Sequence, residues 1–173
     1  AHSMPCDHHE EDAVAHVIGQ GEFNHGYTYS SHPVAAAVAL ENLRILQEEH
    51  IVDNVRTEAA PYLANKWRGL ADHPLVGEAS VIGMMGSLAL TPHKESRARF
   101  AADPGTIGYM CREHCFANNL VMRHVYDRMI ISPPLVISKG EIDQLISRAT
   151  KALDATYAQA KDQGMLKVAD AHP

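Results

Sequence analysis

Gly77-Glu78-Ala79-Ser80-Val81-Ile82-Gly83-Met84-Met85-Gly86-Ser87-Leu88-Ala89-Leu90 is the stretch on which the fold turns. Glycines set between short apolar runs mark bends in extended chain, so Val76 to Leu90 reads as two strands or one bent strand. On its N-terminal side the rhythm is helical. Ile51, Val55, Ala59, Leu63, Trp67 and Leu70 keep a 3.6-residue period from Ile51 to Leu70. Pro61 interrupts this run, predicting either a kink or two shorter helices, because proline lacks the N–H that the helix needs. Farther upstream, His32-Pro33 opens another helix, since proline is tolerated where the N–H would be unsatisfied anyway. Val34 to Leu40, VAAAVAL, is apolar on every side, which predicts a buried segment. Towards Glu49 the same helix turns amphipathic, with Leu43 and Leu46 inward and Glu41, Arg44 and Glu48 outward.

Downstream of Leu90 a helix is expected over Thr106 to Asn118, with Ile107, Met110, Cys111, His114 and Cys115 near one face. Leu120 to Arg123 and Met129 to Ile131 are short β-like runs around Tyr126-Asp127-Arg128, a plausible turn. Pro133-Pro134 forbids regular helix. Ser138-Lys139-Gly140-Glu141 then forms a capping box, in which hydroxyl and carboxylate satisfy the free N–H groups at a helix start. Ile142, Leu145, Ile146, Ala149 and Leu153 follow at helical spacing, and residues past Gly164 are expected to fray. Helices outnumber strands, and the strands fall late. The fold class is therefore α/β (α+β): a small, mostly antiparallel sheet of about three to four strands backed by helices on one face.

A chain of 173 residues, 46% hydrophobic and 21% charged, suits one globular domain with a real core. Fifteen Lys and Arg against 21 Asp and Glu give a formal net charge of −6. With no basic cluster, nucleic-acid binding is not expected. No apolar run approaches the roughly 20 residues of a membrane span, so no membrane partner is expected. Cys6, Cys111 and Cys115 make no even-numbered disulfide framework. A reduced, cytoplasmic protein with buried thiols is the expectation. Residues 1–20 stand apart, being rich in histidine and acid, with a short helix expected from about Glu10 to Ile18.

Three stretches, in order, carry a resemblance. They are His25-Gly26-Tyr27-Thr28-Tyr29-Ser30-Ser31-His32-Pro33 with its alanine-rich helix, Asn119-Leu120-Val121-Met122-Arg123, and Ile131-Ser132-Pro133-Pro134-Leu135-Val136-Ile137. Together they resemble class III (ω-type) aminotransferases, over roughly Gly19 to Gly164. The resemblance implies the C-terminal small domain of a fold type I enzyme, spanning 21–164, with a divergent segment 1–20 before it and a tail 165–173 after it. It implies pyridoxal 5'-phosphate as cofactor, amine and keto acid substrates such as pyruvate, and a homodimer with active sites at the subunit interface. Thr28 matches the position that offers its hydroxyl and backbone N–H to the cofactor phosphate of the neighbouring subunit, and Tyr27 lines the same pocket. A loop hydroxyl and free amides before a helix suit an anion physically, although Thr28 and Ser30 would also serve as ordinary turn caps. Arg123 matches the mobile arginine that pairs with the substrate carboxylate. A guanidinium can fork onto two oxygens as lysine cannot. On charge alone, an ion pair with Asp127 competes with that role.

The sequence departs from the pattern in three places. Ser31 stands where the family has glycine, and Ser80-Val81 lies where an Arg-Gly pair is usual. More consequentially, the Schiff-base lysine and the aspartate for the pyridine nitrogen should precede His25, yet the first lysine here is Lys66. The 173 residues by themselves are therefore expected not to transaminate, whether they are a fragment, a truncated gene product or a domain with another use. Two other readings compete. One is a metal-binding module in which Cys6, His8, His9, Glu10, Asp12 and His16 supply donors, without a known ligand spacing. The other is a non-catalytic self-associating domain using the apolar surface of Val34 to Leu46.

Overall fold

The computed structural model describes Ala15, His16, Gly19 and residues 32–169. Two compact units are distinguished, 1–43 and 44–173. Helix α1, Pro33–Glu48, starts at the proline, as its tolerance for the first helical position dictates. None of its residues is buried, and Val34 and Leu40 are 64% and 69% exposed. The expectation of a buried VAAAVAL segment is overturned, as is the inward assignment of Leu43, while Leu46 is half-buried. Apolar composition sets a tendency to be covered, but burial needs a neighbouring layer to do the covering.

The run from Ile51 is helical without a break. α2 spans Ile51–Asn54, a π-helical turn spans Val55–Ala59, α3 spans Ala60–Gly69, and a 3-10 turn covers Leu70–Asp72. Pro61 thus stands in the first turn of the second of two α-helices, as the expectation of two shorter helices had it, with the π turn joining them. The π turn just before it absorbs the carbonyl that proline cannot satisfy. The predicted stripe holds: Ala59, Leu63, Trp67 and Leu70 are buried.

The glycine-rich stretch resolves into two strands, β1 (Val76–Ile82) and β2 (Met85–Leu90), joined by a hairpin with Gly83 at φ +54°. Helix α4, Thr106–Ala117, leads to β3 (Arg123–Val125) and β4 (Arg128–Ile131), and the chain closes on α5 (Lys139–Asp162). All pairings are antiparallel, in the order β1-β2-β4-β3, so β1 and β3 are the edges. The fold is the four-stranded antiparallel sheet with helices that composition and periodicity predicted. At α5, Ser138 Oγ accepts from the Glu141 N–H at 3.3 Å and the Glu141 carboxylate accepts from the Ser138 N–H at 2.8 Å, completing the capping box. The expected fraying past Gly164 does not extend through 165–169: Val168 forms an antiparallel bridge with Phe100, and Met165 and Leu166 pack against the core.

Register decides which face is core. Leu88 opposes Met129 and Gly86 opposes Ile131, and all four are buried. Trp67 lies on this face, donating Nε1–H to the Ser87 carbonyl at 3.3 Å, and a Cβ on Gly86 would come within 2.8 Å of its ring. α4 packs across the far end. There Gly108 meets the β3–β4 turn so closely that an added Cβ would lie 2.0 Å from the Tyr126 carbonyl oxygen. Gly108→Ala would normally favour a helix by about 1 kcal/mol. Here it is expected to destabilise by about 3 kcal/mol through overpacking. Urea unfolding reads the sign directly, and a variant as stable as the parent would mean that turn and helix do not rest on each other.

His73 ties β1 to α5. Its Nδ1 accepts from the Leu75 N–H at 3.1 Å, its Nε2 lies 3.3 Å from Asp154, and its ring meets Tyr157 edge-on. Burial holds its pKa below the usual histidine value, with Lys94 adding to the effect and Asp154 opposing it. A depressed folded-state pKa contributes stability that is intact above about pH 6.5, the unfolded value, and is lost as pH falls through the folded one. Unfolding midpoints should therefore drop more steeply on acidification below about pH 6.5 in the parent than in His73→Gln. Parallel pH profiles would remove His73 from this role.

Candidate functional site

The outer face of the sheet carries the candidate site. Because directly opposed residues share a face, the rung Ser80–Ser87–Ile130–Arg123 lies on the side away from the core, as does Glu78–Ala89–Arg128–Val125. Arg123 opens the edge strand β3, is exposed, and makes no hydrogen bond or ion pair among the described residues. The competing ion pair with Asp127 does not form. That carboxylate accepts instead from the Gly105 N–H at 3.2 Å and the Gly108 N–H at 2.9 Å, at the start of α4. A helix N-terminus presents unsatisfied donors and positive potential, so Asp127 is better served there than by a solvated guanidinium. The segment leading to Arg123 is held too: Asn119 adopts φ +55°, and its carbonyl accepts from Arg148 at 2.7 Å.

Sequence reasoning missed Arg128 and Ser87 on this face. Arg128 donates to Ser87 Oγ at 3.0 Å. Glu78 is engaged with Arg97 at 3.1 Å and accepts from Ser80 Oγ at 2.5 Å. The Ser80 hydroxyl holds its carboxyl below the usual carboxylate range, with Arg97 and Arg128 adding to the effect. A period-two reading of Arg128 to Ile131 would have placed Arg128 beside Ile130 on one face.

Other candidates divide cleanly. Thr28, Tyr27, Cys6, His8 and His9 lie outside the described residues, as does most of the expected Glu10–Ile18 helix. His16 is helical and exposed, and among the described residues no group of three or more His, Cys, Asp and Glu side chains could hold a metal. Cys111 and Cys115 are buried free thiols on α4. The hydrogen bond to Cys111 together with burial pushes the Cys115 thiol up.

The lysines do not fit the covalent anchor of a pyridoxal cofactor. Lys66 is ion-paired with Asp143 at 3.1 Å and Lys139 with Glu58 at 2.8 Å, and these partners raise both amines above the ordinary lysine value. Such an amine stays protonated, whereas an attacking amine must give up its proton. Lys94 donates to the Ala71 carbonyl, and Lys151, Lys161 and Lys167 are exposed. No reaction step is therefore derived through the cofactor on these residues.

The family profile of aminotransferase class-III matches residues 7–153. This chain belongs to the class III aminotransferases. Its sequence is 59% identical over 148 residues to a putrescine–pyruvate aminotransferase of Pseudomonas aeruginosa, covering 85% of this chain and 32% of that protein. It is 35% identical over 136 residues to the mitochondrial gamma-aminobutyrate transaminase 1 of Oryza sativa subsp. indica, covering 79% of this chain and 26% of the other. A thermostable ω-transaminase six-fold mutant from Pseudomonas jessenii superposes with a TM-score of 0.73 at 33% identity, over 85% of this chain and 32% of that one. A PLP-bound aminotransferase mutant from Vibrio fluvialis gives 0.74 at 28% identity, over 86% and 32%. The chain spans about a quarter to a third of the length of these class III relatives.

Proposed function

We propose that this chain is the small domain of a pyridoxal-phosphate-dependent transaminase. The whole enzyme would move an amino group between an amine or amino acid and a keto acid such as pyruvate. One observation carries the reading: Arg123 stands exposed and unpaired on the open sheet face while Asp127, its nearest sequence rival, is committed to α4. A guanidinium held by its strand but free at its tip can fork onto a carboxylate and withdraw for a substrate that lacks one. In the same reading Thr28 and Tyr27 serve the cofactor phosphate, 21–164 is the domain proper, 1–20 a divergent segment and 165–173 a tail. The name of the 59% identical relative supports an amine donor and pyruvate as acceptor. A cytoplasmic location accords with the free buried thiols.

The lysine this chemistry requires has to be contributed by polypeptide other than these 173 residues, given how the lysines present are engaged. The 173-residue chain alone is expected to be inactive. With pyridoxal phosphate, putrescine and pyruvate, alanine formation should stay at the level of a no-protein control. Turnover above that level would refute the assignment of inactivity.

A dimer is part of the same proposal, supported by the exposed side chains of Val34, Val38, Leu40 and Leu43 on α1. Sedimentation should show dimers or larger species, and Val38→Glu should shift the distribution towards monomer. A parent that stays monomeric at high concentration would sink the dimer.

A further inference from the structure

Helix α4 is met by opposite charges at its two ends. The Asp127 carboxylate lies at its N-terminus, against the Gly105 and Gly108 amides, and at the other end Arg148 of α5 donates to the Asn119 carbonyl at 2.7 Å. α4 finishes there in a Schellman turn. Asn119 takes φ +55°, its N–H bonds to the Phe116 carbonyl at 3.0 Å, and the Leu120 N–H bonds to the Cys115 carbonyl at 2.9 Å. A cation is favoured at that end by the same helix potential that favours Asp127 at the start. Asn119 is exposed, so water could satisfy its carbonyl and no side chain is needed for that purpose. What Arg148 adds is a charge-assisted tie between α5 and the point where the chain leaves α4 for β3.

We infer that Arg148 is a positioning residue for Arg123: by tying down the end of α4 it fixes the backbone from which the Arg123 guanidinium reaches the substrate carboxylate. This rests on the proposed role of Arg123. β3 is an edge strand of three residues, paired with β4 alone. So short a strand, bonded on one side, depends on how its ends are fixed. The far end is pinned through Asp127. At the near end Leu120 and Met122 are buried, and Arg148 supplies the polar tie just before them. A guanidinium that forks onto two oxygens tolerates little drift of its mount, since a shift of about 1 Å can cost up to about a hundredfold in rate. The tip of Arg123 is thus free to swing while its backbone is not.

Hydrogen exchange on the 173-residue chain, followed by NMR, reads the tie. Arg148→Gln should speed exchange of the amides of residues 123–125 about tenfold, as loss of a hydrogen bond from a charged donor allows, while those of β1 and β2 change by less than about twofold. Arg148→Lys keeps a charged donor and should restore most of the protection. Unchanged exchange over 123–125, a rise shared equally by β1 and β2, or a lysine variant no better than glutamine would overturn the inference. In the whole transaminase, Arg148→Gln should lower kcat/KM for pyruvate about fivefold and leave that for putrescine, which has no carboxylate for Arg123 to hold, unchanged. Equal losses for both substrates, or none for either, would overturn the positioning role. If Arg123→Gln itself leaves the pyruvate value intact, the reading of Arg123 fails instead, and the exchange data alone judge the tie.

Discussion

The contact between the Asp127 carboxylate and the Gly105 and Gly108 amides is the constraint on which the arrangement of this domain depends. It satisfies two donors at the start of α4 and brings a negative charge to the helix end where it is favoured. The same contact presses the β3–β4 turn against the helix at a position that has room only for glycine. Strand register then follows. With the turn pinned, Arg128 pairs with Ala89 and Met129 with Leu88, and the alternation of side chains sends methionine to the core and both arginines outwards.

That alternation gives the sheet two unlike faces. One is covered by Trp67, Leu63 and the helices and is closed by close packing around Gly86. The other keeps hydroxyls, two guanidinium groups and one committed carboxylate. The polar face is the one that carries Arg123 and Arg128, both exposed.

The lysines tell the complementary story. Lys66 and Lys139 hold α3, the π turn and α5 together through Asp143 and Glu58, and both approach the ring of Tyr62. Their positive charge is stabilised, which is the opposite of what a nucleophilic amine needs. These two amines serve packing between helices.

Local signals in the sequence were enough for the elements whose logic is local. The Ser138–Glu141 capping box, the proline start of α1, the stripe from Ile51 to Leu70 and the glycine-punctuated strands all express short-range geometry, and the motifs around Arg123 and Pro133-Pro134 pointed to the family. What failed depended on neighbours distant in sequence. VAAAVAL looked buried because composition cannot say whether a covering layer exists, and the π turn before Pro61 leaves no mark in the pattern. On charge alone Asp127 competed for Arg123, and only tertiary packing, which brings Gly105 and Gly108 to the carboxylate, separates the two. Sequence by itself determined the helices, the glycine-punctuated strands and the family, while the strand expected over Leu120 to Arg123 lies instead at Arg123–Val125. Tertiary structure alone decided which charges were spent and which left free, because that depends on what pairing and packing bring within hydrogen-bond reach.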